Sequence, residues 1–139
     1  MFPNIREVFL AHFKYLRLIY GGANVFKCFV EELSPKMKKY YPMYCKVTGT
    51  TTAAVLKKYN EDPKFKQYLE GLYERYNSHI IGDYMGPLFQ RIMRYPLIFK
   101  EVVKLASEDD LKSDMYAGCK EALECANATT NYVDDLVSK

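Results

Sequence analysis

Residues 90 to 104 constrain this chain more than any other stretch. They run Gln90-Arg91-Ile92-Met93-Arg94-Tyr95-Pro96-Leu97-Ile98-Phe99-Lys100-Glu101-Val102-Val103-Lys104 and read as a helix with two unlike faces and a proline inside it. Ile92, Tyr95, Phe99, Val102 and Val103 recur at helical spacing and suit a core. Gln90, Met93, Arg94 and Leu97 fall at i, i+3, i+4 and i+7, on a different face. That second face mixes an amide, a thioether, a guanidinium and an alkyl group. A solvated face is richer in charge, and a core face does not carry an arginine. Two readings fit: a protein-contact surface, where Arg and Met are favoured, or an arginine laid along an ordinary helix surface.

The rest of the chain extends the helical pattern. Ile5, Val8, Phe9, His12, Phe13 and Leu16 form a stripe expected to face the core, with Pro3 in a first turn and Gly21-Gly22 as a stop. Val25, Phe26, Phe29, Val30 and Leu33 form the next apolar group, ending at Ser34-Pro35, where Ser34 is expected to cap a new helix. Met37, Tyr40, Tyr41, Tyr44 and Val47 continue on one face. Pro42 and the run Thr48-Gly49-Thr50-Thr51-Thr52 weaken that helix, so a kink or a break is expected there. Asn60-Glu61-Asp62-Pro63 is a stop and restart. Phe65, Tyr68, Leu69, Leu72, Tyr73 and Tyr76 make another stripe, and Asn77 to Gly86 reads as a loop or short helix. The signature helix then runs to about Ala106. Ser107-Glu108-Asp109-Asp110 opens the last helix, with Leu123, Ala126, Thr130, Val133 and Leu136 as its core face. No strand pattern or internal repeat interrupts this, so the fold class is all-α.

Composition excludes several functions. The chain has 139 residues, enough for one domain with a sizeable core. Its net charge of +3 comes from dispersed lysines, not a basic block, which argues against nucleic acid as a partner. No apolar stretch is long enough for a transmembrane helix, and Met1 to Arg6 lacks a signal-peptide pattern, so a cytoplasmic protein is expected. Cys28, Cys45, Cys119 and Cys125 form no CxxC pair, and only His12 and His79 could join them; neither a metal site nor another cofactor is expected. Reduced, buried thiols are the expected state. His12 reads as a packed histidine, since no nucleophile or carboxylate pair accompanies it. His79 falls in a loop signal. Glu61-Asp62 and Asp134-Asp135 suit a cap and a solvated face better than acid/base chemistry.

Gln90 to Glu101 resembles the third signature block of the Dbl-homology domain, the exchange-factor domain for Rho-type small GTPases. The block's usual form is Gln-Arg-Ile-x-Arg/Lys-Tyr-Pro-Leu-Leu-Leu-Lys-Glu. Two more segments agree in order. Phe2-Pro3-Asn4-Ile5-Arg6-Glu7-Val8, followed by His12 and Leu16, resembles the family's Phe-x-Asn-Ile-x-Glu-Ile…His…Leu helix. Tyr41-Pro42-Met43-Tyr44-Cys45 resembles its Tyr-x-x-Tyr-Cys. The resemblance covers essentially residues 1–139 as one domain and implies an elongated helical bundle. It implies that Gln90, Met93 and Arg94 contact the GTPase switch regions, with Leu97 a neighbour on that face. Asn131, at the family's spacing downstream of Arg94, is implied to reach the second switch. The implied activity is guanine-nucleotide exchange, not bond-making chemistry.

Departures from the family pattern set further expectations. The family's first signature block, on a preceding helix, carries a Glu that engages the first switch; this sequence has no equivalent, and Glu7 belongs to the Asn-Ile-x-Glu segment instead. Gly86-Pro87-Leu88-Phe89 places proline one residue further from Gln90 than usual. No pleckstrin-homology domain is expected after Lys139, although the family usually has one. Three readings are compatible with this: a reduced exchange factor, a fragment, or a module that binds a GTPase without opening it. Without the preceding helix the apolar stripe it would have covered is expected to be exposed, and such a patch tends to seek a partner, so self-association or a domain swap through the face left by that helix is expected.

Overall fold

The computed structural model describes residues 4–77 and 86–138, and every regular element among them is helical. Chain stops fall where the local chemistry demands them. Helix α1, Ile5–Tyr20, ends at Gly21, and Gly22 takes φ 91°, a conformation open to glycine because it has no Cβ. Asn24 then accepts hydrogen bonds from the amides of Phe26 and Lys27 and caps α2, Val25–Cys28.

From Cys28 the chain does not break before Pro35. It widens into a π turn, Phe29–Leu33, and runs directly into α3, Ser34–Glu61. Ser34 has helical φ and ψ, and its amide bonds Phe29 O five residues back. The expected cap at Ser34 is therefore corrected to a continuous helix. A proline lacks the amide proton and crowds the carbonyl four residues back; the π turn lets the chain pass that obstacle. It also turns Phe29 and Leu33 fully into the core.

Helix α3 is unbroken across Pro42 and the threonine run. Thr48 Oγ1 donates to Tyr44 O at 2.6 Å, and Met37, Tyr41, Tyr44, Cys45 and Thr51 are buried on one side. Packing outweighs weak helix propensity here. The 28 residues of α3 span about 42 Å at 1.5 Å per residue, while its buried residues stop at Thr51. The remaining turns pair with α4, Pro63–Tyr76, to make an arm beyond the core. Asp62 caps α4 through the amides of Lys64 and Phe65, and Pro63 occupies its first turn. Tyr59 Oη donates to Glu70 across the arm at 2.9 Å, and Lys58 lies over the Phe65 ring. No α4 residue is fully buried.

Helix α5, Gly86–Leu105, packs along α7, Cys119–Val137, and α7 packs on α3. The single last helix expected after Ser107 is instead three pieces. Ser107 and Asp110 form a capping box for α6, Glu108–Lys112. A 3-10 turn, Asp114–Tyr116, follows, and Gly118 at φ 82° starts α7. The buried face of α7 is Cys119, Ala122, Ala126, Thr129 and Val133, while Leu123 and Thr130 are half-buried and Leu136 is exposed. Small residues bring α7 close to α3. Thr129 gives its proton to Cys125 O at 2.7 Å, so Ser34 donates to Thr129 Oγ1, also at 2.7 Å. Each buried hydroxyl there has a partner, as burial requires.

The centre is aromatic. Phe29 lies 5.1 Å from the Tyr95 ring, 5.0 Å from Phe99 and 6.2 Å from Tyr15. Tyr15 donates its hydroxyl to Val25 O. Helix α1 meets this core through Val8, Ala11, His12 and Tyr15. Phe9, Phe13 and Leu16, expected inside, are instead 60%, 56% and 42% exposed. The four cysteines are free, and burial pushes the Cys45 thiol up to about 11.

Candidate functional site

Helix α5 is anchored on one side and open on the other. Ile92, Tyr95 and Phe99 are buried among the aromatics of α1 and the π turn. Val102 and Val103 pack against them, half-buried. The opposite side presents Gln90, Met93, Arg94 and Leu97, with Met93 56% and Leu97 63% exposed. The two faces drawn from spacing are thus the inner and outer faces of one helix. Among the described residues Gln90 and Arg94 have no hydrogen bond or ion pair, so both side chains are free to meet a partner.

Pro96 explains how α7 is held beside this face. Lacking an amide proton, it leaves Ile92 O without its helical donor. Thr130 Oγ1 on α7 reaches that carbonyl at 3.4 Å while also donating to Ala126 O at 3.0 Å. Asn131 follows Thr130 and Met93 follows Ile92 in the chain, and both are exposed. Tyr132, 46% exposed, carries Lys38 Nζ over its ring at 5.9 Å. The five residues singled out in the sequence therefore all lie exposed on two neighbouring helices.

Sequence reasoning missed the support behind α5. His12 Nδ1 lies 2.8 Å from Tyr95 Oη, and Nε2 lies 2.7 Å from Tyr41 Oη. The imidazole stacks on the Tyr95 ring at 5.7 Å. Arg91 folds back over the same ring and donates Nε–H to Tyr95 Oη at 3.3 Å. Burial, aided by the Arg91 charge, lowers the His12 pKa to about 4. The signal was present in the sequence: histidine and tyrosine at core positions require partners for their polar atoms.

The arrangement offers an exposed face of mixed polarity on α5 and α7. Among the described residues no group of three or more His, Cys, Asp or Glu side chains could hold a metal ion, and no helix is long and apolar enough to cross a membrane. Glu7 lines a cleft between α1 and α3, beside Lys14, Arg17 and Lys36. His79 lies outside the described residues.

The described residues form an all-α domain with an exposed, mixed-polarity face on α5. The chain belongs to the RhoGEF (Dbl-homology) domain family: that domain's profile matches residues 1–134. No curated protein and no solved structure matches it.

Proposed function

We propose that this chain accelerates guanine-nucleotide release from a Rho-type small GTPase, in the cytosol, by engaging the switch regions with Gln90, Met93, Arg94 and Leu97 on α5 and Asn131 on α7. The observation that carries the proposal is the exposed outer face of α5 behind a fully packed inner one, in a chain of the RhoGEF family. A GTPase holds its nucleotide through phosphate and magnesium contacts from the switches. A partner that binds best when those contacts are broken shifts the population toward the open state. Turning a minor open state at 1:99 into a dominant one at 99:1 takes a binding preference of about 10⁴. By linkage, bound nucleotide weakens the partner's grip by the same factor. No bond is made or broken. The work needs surfaces held in fixed relation, and the braced α5–α7 pair supplies them.

The test is release of a fluorescent guanine nucleotide from a panel of Rho-type GTPases. Faster release than the intrinsic rate is expected for at least one member. Folded protein that binds a GTPase but leaves its release rate unchanged would overturn exchange in favour of a binding module.

The proposal extends to self-association through α1. Phe9 and Phe13 stack at 6.3 Å between ring centroids and, with Leu16, form an exposed apolar strip. Such strips mark contact sites, and a second copy of the chain is the proposed occupant. Light scattering is expected to show concentration-dependent mass growth that Phe9→Ser with Phe13→Ser abolishes. A monomer at all workable concentrations would rule the association out.

A further inference from the structure

The polar chain behind α5 is continuous. Tyr95 Oη accepts from Arg91 Nε–H and lies 2.8 Å from His12 Nδ1. With the Tyr95 proton given to Nδ1, His12 carries its own proton on Nε2 and donates it to Tyr41 Oη at 2.7 Å; the other tautomer reverses both roles and keeps both bonds. The sequence Arg91 to Tyr95 to His12 to Tyr41 thus ties α5 to α1 and α3. None of these four belongs to the outer face, yet the chain starts at Arg91, beside Gln90 on the same turn.

Apolar contacts resist separation of two elements but are weakly directional. Ile92 and Phe99 alone leave α5 free to roll slightly about its axis. A roll of roughly 20° moves a side-chain tip about 2 Å on a helix some 11 Å across. Hydrogen bonds of 2.7 and 2.8 Å do not survive such a displacement. A functional constellation tolerates only about 0.5 Å of misplacement.

We propose that His12 is a positioning residue: by bridging Tyr95 and Tyr41 it fixes the rotation of α5 and so the aim of Gln90, Met93, Arg94 and Leu97. Its consequence for exchange rests on the functional reading above; its consequence for the free protein does not. His12 faces Tyr41 from α3, Tyr95 and Arg91 from α5, and Tyr15 one turn along α1, and none of these is a carboxylate.

Tyr95→Phe keeps the ring and removes both bonds to its oxygen. Two readouts follow. In the free protein, backbone amide resonances of Gln90, Met93, Arg94 and Leu97 are expected to shift. In the exchange assay, Arg94→Ala is expected to cost about thirtyfold in the wild type but only about threefold with Tyr95→Phe, because a misaimed Arg94 has less to lose. A merely structural role would leave the two effects additive. Unmoved outer-face resonances in folded Tyr95→Phe would overturn the proposal. If Tyr95→Phe does not fold, Arg91→Met severs the chain at its half-exposed end and is judged by the same shifts. A wild type without exchange activity would sink the functional reading while leaving the resonance test decisive.

Discussion

Arg94→Ala is expected to lower the second-order rate of nucleotide release about thirtyfold, equivalent to about 2 kcal/mol and typical of an interface hot spot. The direction follows from where Arg94 sits. It is exposed on the outer face of α5, and no acidic partner among the described residues holds it. Arg91, three residues earlier, is committed to Tyr95. Arg94 is therefore the guanidinium of this turn that can meet a GTPase. Asn131→Ala is expected to slow release about fivefold, since a neutral amide contact is worth roughly half a charged one. Both changes lie on the surface and should alter stability by no more than about 0.5 kcal/mol. Nucleotide release and thermal melting on the same preparations decide the matter. A large fall in melting temperature for either variant would make that side chain structural and remove it from the contact face.

The same helix shows what could be read from sequence. On α5 Ile92, Tyr95 and Phe99 recur at helical spacing, so spacing separated them from the mixed set Gln90, Met93, Arg94 and Leu97. Asp62-Pro63 and Gly21-Gly22 were equally legible, because a cap and a positive φ are local requirements. Helix α1 was not. Its apolar residues nearly encircle the axis, so the stripe drawn from spacing took in Phe9, Phe13 and Leu16 along with Val8 and His12 and passed over Ala11 and Tyr15. The structure chose the arc carrying His12, whose two ring nitrogens meet hydroxyls 29 and 83 residues away in the chain. No local rule contains those partners. Pro35 misled for a related reason, since a π turn carries the helix past it, and of the kink or break expected at Pro42 the continuous α3 excludes the break. The candidate face was legible as exposed and mixed; its partner came from family resemblance, because exposure does not say what a surface binds.

Stability should fall as pH drops from about 6.5 to about 4, by about 3 kcal/mol in total and at most about 1.4 kcal/mol per pH unit, through His12 alone. His12 is only 9% exposed, and its pKa is lowered to about 4, first by burial and then by the Arg91 charge. The unfolded chain takes up a proton near 6.5 and the folded one only near 4. Between those values the unfolded state holds more protons, so acid favours unfolding; above 6.5 the contribution is fully present. The neighbours do not blur this window. Burial raises the pKa of Tyr15, Tyr41 and Tyr95, so all three stay neutral throughout it. The lowered carboxylates, Glu32 held by Lys14 and Asp110 held by Ser107, titrate below their ordinary values and act at lower pH. Protonation also destroys the ring's one acceptor nitrogen, and the imidazolium would face Arg91. Denaturant unfolding at closely spaced pH values, on the wild type and His12→Gln, measures the effect. The variant should be less stable at pH 7 yet nearly level between 6.5 and 5, so the two curves converge as acid is added. Parallel curves would mean that folding does not lower the His12 pKa, and the acid-linked contribution assigned to His12 would be ruled out.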